Sequence, residues 1–254
     1  MRIKVLHKVV ISTLCLGLLT AVPMLAQAQE IDTEDRWKFK AALYLWGASI
    51  DGTTRLGNKI GVGFDDLVDD LNMGFMGSFE ARKAKWSVAT DVIYLDVSAD
   101  KAGTIGPGIP VNADVDLTGW VFNLQGARTV YDGERASVDV LAGARYLNLD
   151  SKLTLRVGSV GPTRTATQSG NVWDGVIGVK GRVNISGNWY LPYYVDVGTG
   201  QSDFTWQGLG GVGYGFNWGS VVLAYRYLAW EFKSDKNLKD ISFSGPTLGV
   251  VFKF

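Results

Sequence analysis

The chain of 254 residues has a single histidine, a single cysteine and only six prolines. His7 and Cys15 both lie in an N-terminal stretch with the form of a secretory signal. There Arg2, Lys4 and Lys8 precede an apolar run from Val9 to Leu25, and Ala26-Gln27-Ala28 has the small-x-small shape of a signal-peptidase site. Residues 1–28 are therefore expected to be removed, leaving 29–254 as one domain. A retained membrane helix is the weaker alternative, because the run is short and Pro23 interrupts it. Leu14 is too bulky for the residue before a lipid-modified cysteine, so Cys15 is expected to leave with the signal. A mature chain with neither imidazole nor thiol has no Cys/His zinc site, no Ser-His or Cys-His nucleophile pair and no disulfide. An exported fold without disulfides needs another device to hold it, such as closure of a sheet.

Charge excess is also lacking. Lys and Arg number 25 against 25 Asp and Glu, and loss of Arg2, Lys4 and Lys8 leaves a small acidic balance. Nucleic acid is not an expected partner of such a chain. Beyond the signal no continuous run of about 18 apolar residues occurs, so no helical membrane span is available.

What recurs instead is period-two alternation over roughly ten residues, the pattern of a strand with one apolar face. Ten segments show it: Arg36 to Ala48, Asn72 to Lys83, Trp86 to Val97, Asp114 to Val130, Arg135 to Leu149, Gly170 to Ile185, Trp189 to Val197, Phe204 to Asn217, Ser220 to Phe232 and Ile241 to Phe254. Connections after the even-numbered segments are short, such as Ala84-Lys85 and Trp218-Gly219. Those after the odd-numbered segments are longer, including Ala99 to Ala113, Asp150 to Ser169 and the stretch between Val197 and Phe204. Such asymmetry predicts an all-β, closed, antiparallel up-and-down transmembrane barrel of about ten strands. Eight or twelve are the alternatives, since Thr53 to Phe64 can form an extra hairpin arm.

Tryptophans sort to strand ends. Trp37, Trp86, Trp189 and Trp218 sit beside the short turns, and Trp120, Trp173 and Trp206 lie toward the long loops, as two interfacial belts require. Trp46 and Trp230 also lie toward the long loops, and their inward parity gives capping of the lumen as the alternative to a place in that belt. Parity assigns charge-free sets such as Leu43, Leu45, Phe75, Phe79, Val138, Val140, Leu191, Val195, Leu223 and Tyr225 to lipid. The opposite faces collect Glu80, Arg82, Asp91, Asp139, Arg145, Asp174, Lys180, Arg182, Asp196 and Arg226 as lumen-lining candidates.

Inside so narrow a barrel, mutual pairing of charges is the first expectation: Asp91, Asp139 and Asp174 neutralising Arg82, Arg145, Arg182 and Arg226. Gly211, Gly213 and Gly215 also point inward and suggest a strip where a narrow channel would run. Gly208-Leu209-Gly210-Gly211-Val212-Gly213 matches G-x-G-x-x-G in letters, but no helix or βαβ unit surrounds it. Asp65, Asp66, Asp69 and Asp70 raise the question of a divalent cation; without EF-hand spacing, and with Leu67, Val68 and Leu71 among them, a lid-like amphipathic turn is the preferred reading. No metal and no cofactor is expected.

The terminal alternation Leu248, Val250, Phe252, Phe254 resembles the C-terminal assembly signal of Gram-negative outer-membrane barrels. Signal, hairpins, belts and Phe254 together make the mature chain resemble the small barrels of the OmpA, Opa and OmpW kind. The stretch from Asp66-Leu67 through Glu80-Ala81-Arg82 to Trp86, and Tyr225-Arg226-Tyr227-Leu228 with Gly245-Pro246, are similar to segments of uncharacterised proteobacterial outer-membrane proteins. This resemblance implies a location in the outer membrane, with lipid, lipopolysaccharide and the barrel-assembly machinery as partners, and supplies no activity. The function expected is structural or surface-interactive through the long loops, with no extracellular ligand indicated. The runner-up is a narrow pore lined by Asp91, Asp174, Lys180, Arg182 and Arg226. An enzyme is not expected, since outer-membrane hydrolases of this resemblance use a histidine base.

Overall fold

Alternation of β-branched and aromatic residues with small or polar ones favours extended chain, and nearly all of the described residues are strand. The structure is a computed structural model describing residues 36–55, 57, 59–62, 71–105, 109–157, 163–234 and 238–254. The expected signal, residues 1–28, and the Asp65, Asp66, Asp69, Asp70 cluster lie outside the described residues. In chain order the strands are β1 (Trp37–Trp46), β2 (Ser49–Thr54), β3 (Lys59–Val62), β4 (Leu71–Lys83), β5 (Trp86–Ile105), β6 (Ile109–Asp132), β7 (Ala136–Val157), β8 (Thr163–Ser186), β9 (Trp189–Gly200), β10 (Ser202–Phe216), β11 (Gly219–Phe232) and β12 (Leu238–Lys253).

Ten of these close the cylinder: β1 pairs with β4, each of β4 to β11 with the next, and β12 returns to β1. All the pairings are antiparallel. β2 carries on the line of β1 past Gly47 and Ala48, pairs with β12 and folds back on β3. The extra hairpin arm therefore stands above the cylinder without adding to its girth.

Strand tilt follows from the register. Starting at Lys40, the ladder runs through Glu80, Ala89, Gln125, Gly143, Val176, Gly198, Thr205, Trp230 and Ile241 to Gly52. Gly52 lies twelve residues above the start on the β1–β2 line. At about 3.3 Å per residue and about 4.8 Å between strands, that climb corresponds to a tilt of about 40°.

The two rims differ. At the short-turn rim, Gly187 takes a positive φ of 55° between β8 and β9, a conformation that glycine adopts without a Cβ penalty. At the other rim the segments read as loops are largely strand: β5 and β6 pair as far as Ile105 and Ile109, and β7 and β8 as far as Arg156 and Thr163. Between β9 and β10 the expected long connection is corrected to one residue, Gln201. Its backbone N–H donates to the Trp173 carbonyl (2.9 Å), its side-chain oxygen accepts from the Trp173 N–H (2.9 Å), and the polar, glycine-rich letters around it simply continue two strands. The wall is thus tall at β5 to β8 and low at β9 and β10.

Outward positions carry the apolar side chains. Leu43, Leu45, Phe75, Val140, Ile177, Val195, Leu223, Tyr225 and Leu248 are all exposed, as the parity reading requires. Trp37, Trp86, Trp189 and Trp218 ring the short-turn rim, and Trp120, Trp173 and Trp206 ring the opposite level, all exposed. The outer three stack or tilt against Tyr94, Tyr146 and Tyr227 at centroid distances of 4.4, 4.7 and 4.6 Å. From Trp86 to Tyr94 the tilted strand rises about 20 Å, so the belts flank an apolar band close to the ~25 Å of an outer-membrane barrel. In water this surface would be a severe exposed patch; against hydrocarbon it is matched.

Candidate functional site: the barrel lumen

Small and polar residues at inward parity leave room for a layered interior. Nearest the short turns, Glu80 is shared by three cations: Lys180 Nζ at 2.5 Å, Arg82 Nε at 3.3 Å and Lys40 Nζ at 3.4 Å. Arg82 also pairs with Asp139 and donates to Thr129 Oγ1 at 2.6 Å.

Above them lie two guanidinium sites of similar build. Arg226 donates through Nη2 to Asp91 and to Gln207, each at 2.7 Å, and through Nη1 to the Tyr44 oxygen at 2.9 Å. Tyr44 donates in turn to Asp91 at 2.5 Å. Arg145 is fully buried with Asp196, donates to Asn123 at 2.8 Å and to Thr205 Oγ1 at 3.0 Å, and Tyr194 donates to the same Asp196. Each arginine thus meets a carboxylate that also accepts from a tyrosine, so each guanidinium charge is paired.

Toward the tall rim the lumen turns apolar. Ile93, Val97, Val121, Leu147, Val172, Leu228, Trp230 and Phe243 form one buried cluster with Trp46 and Ile50. Of the two places open to Trp46 and Trp230, the lumen cap is the one taken: the Arg226 guanidinium lies 4.9 Å from the Trp46 ring centroid and the Arg145 guanidinium 5.8 Å from that of Trp230. Cation–π attraction of this kind joins the charged layer to the apolar plug. Leu228 at 0% and Trp230 at 1% exposure are packed away from solvent at this level.

The structure brings Glu80, Arg82, Asp91, Asp139, Arg145, Lys180, Asp196 and Arg226 together inside the barrel. Three expectations are corrected. Among the described residues Asp174 pairs with no arginine; its Oδ1 accepts the Ser202 N–H at 2.9 Å and fastens the low β9–β10 turn, while Asp196 takes its place as the partner of Arg145. Arg182 forms no ion pair among the described residues and lies 5.9 Å over the Tyr190 ring near the short-turn rim. The glycine strip leaves no channel at Gly213, because the Tyr190 ring occupies the space a Cβ would need and is held by its hydroxyl to Ser220 Oγ at 2.8 Å. Parity reasoning named the charges and passed over Tyr44, Tyr194, Thr205 and the apolar plug. Tyr194 stands two residues from the inward Asp196, a signal the sequence carries, whereas Tyr44 meets Asp91 across β4, a contact set by register.

Below the Arg226 layer the lumen holds a cavity of about 300 Å³. Its polar lining includes Lys40, Glu80, Lys180, Asp91, Tyr194 and Arg226, and its apolar wall is formed by Leu209, Val222 and Val251.

A closed, ten-stranded antiparallel cylinder with apolar outer faces, two aromatic belts and ion pairs within is a barrel of the outer-membrane class. No protein-family model and no curated protein matches the chain. Among solved structures it is similar to the outer membrane protease OmpT from Escherichia coli, at 9% identity and a TM-score of 0.49, covering 89% of this chain and 99% of that one. It is also similar to the translocator domain of the autotransporter NalP from Neisseria meningitidis, at 13% identity, TM-score 0.45 and coverage of 98% and 96%. The attachment invasion locus protein Ail of Yersinia pestis is similar at 10% identity, TM-score 0.37 and coverage of 87% and 99%.

Proposed function

We propose that the protein is a sealed barrel of a Gram-negative outer membrane whose work is done by the part standing above the bilayer, as a structural or surface-interacting protein. The observation that carries this reading is the plug: Trp46, Leu228, Trp230 and Phe243 are buried above a layer in which Arg145 and Asp196 are wholly desolvated. An ion crossing that level would have to displace packed apolar side chains, at a cost of the order of their burial energy of about 1.5–3 kcal/mol each. The tall β5 to β8 wall, rising past the outer aromatic belt, supplies the surface for contact.

In this reading lipid and lipopolysaccharide bathe the outward faces. The barrel-assembly machinery engages the last strand through Leu248, Val250, Phe252 and Phe254, of which Leu248, Phe252 and Phe254 are exposed. Purified protein in planar bilayers should show no stable conductance. Discrete openings that change on Arg226→Ala would replace this reading with that of a narrow pore.

A further inference from the structure

We propose that the lumen cavity is a binding site for a small organic monoanion, reached from the short-turn side. Exposure falls steadily along the lumen from that side: the Lys40 side chain is 46% exposed, Arg82 21%, Lys180 15% and Arg226 4%, while Arg145 is at 0%. The space therefore has a mouth at the Lys40–Glu80–Lys180 layer, a roof at Arg226 and, above that, the apolar plug.

Its charges do not balance. Three cations, Lys40, Lys180 and Arg226, line the cavity with two carboxylates, Glu80 and Asp91. The neighbouring pairs Arg82–Asp139 and Arg145–Asp196 are each neutral and leave the excess unchanged. Hydrogen-bond capacity is unbalanced in the same sense. Each lysine has three donors and, among the described residues, bonds only Glu80. An excess of donors and one uncompensated positive charge at the mouth of the cavity match an acceptor-rich ligand of charge −1. Leu209, Val222 and Val251 offer its body an apolar wall, and about 300 Å³ is the lower end of the range for small-molecule pockets. A carboxylate set between Lys40 and Lys180 with a compact apolar body meets all three conditions. This inference concerns the opposite side of the barrel from the surface role above and stands independently of it.

The test is calorimetric titration of the folded barrel in neutral detergent with benzoate and hexanoate, and with benzyl alcohol as the uncharged comparison. Saturable binding of a carboxylate is expected, at least tenfold tighter than that of the alcohol. It should weaken tenfold or more in Lys180→Met and vanish in Val222→Trp, which fills the cavity while leaving every charge in place. Heat-modifiable migration of each variant confirms that it is folded. Absence of saturable carboxylate binding to the native barrel would overturn the proposal, as would equal binding of the alcohol or binding unchanged in both variants.

Discussion

Asp196 is the residue on which the buried interior leans hardest, because Arg145 and Tyr194 both donate to it and neither Arg145 nor Asp196 touches solvent. Asp196→Ala strands a buried guanidinium and should lower unfolding stability by about 3–5 kcal/mol, read from urea unfolding in micelles. The double replacement Arg145→Met with Asp196→Leu removes both ions and should recover most of that loss. At Gly213 the same logic is steric: Gly213→Leu must expel the Tyr190 ring and its bond to Ser220, whereas Tyr190→Phe forfeits only a hydrogen bond of about 1 kcal/mol. The two variants should therefore differ in melting temperature by several degrees, with the glycine variant the lower.

Single strands explain which parts of the architecture were legible in the letters. β1, β7, β9 and β11 alternate cleanly because hydrocarbon takes one face and a polar lumen the other, so their parity was readable. In the outer half of the barrel that contrast disappears. Val121 beside Phe122, Leu147 beside Tyr146 and Leu228 beside Tyr227 are apolar inward and aromatic outward, and period-two reasoning has nothing to separate. The plug was hidden for this reason, while Trp46 and Trp230 betrayed it by parity alone. Polar and glycine-rich letters make Ala99 to Ala113 and Asp150 to Ser169 look like loops, although backbone pairing continues as far as Ile105 with Ile109 and Arg156 with Thr163. Ion-pair partners were the least legible, since cross-barrel neighbours depend on tilt and shear. Asp139 and Arg82 stand fifty-seven residues apart in the chain, |i−j|=57. On a lipid face, Leu223→Arg should cost about 2–4 kcal/mol at mid-membrane and reduce the heat-modifiable fraction, whereas Thr167→Arg on the upper part of β8 should leave it unchanged.

For the molecule as a whole, orientation follows from the rims. In the orientation that follows from the proposed function, short turns face the periplasm and the tall wall stands outside. A cysteine placed at Thr167, which is exposed on the upper part of β8, should react with a membrane-impermeant maleimide on intact cells. One placed at Asn188, in the β8–β9 turn, should react only after the outer membrane is permeabilised. Equal labelling at both positions in intact cells would reverse or dissolve the assignment.

The step in the rim has a consequence for β8. Its ladder with β9 begins at Asp174 opposite Gly200, and Gln201 occupies the backbone of Trp173. From Val172 up to Thr163 every second amide therefore points toward β7, and the alternate ones, among the described residues, toward no partner strand. Deuterium uptake should split this one strand into two kinetic populations, slow and uniform below Asp174, and alternating fast and slow above it.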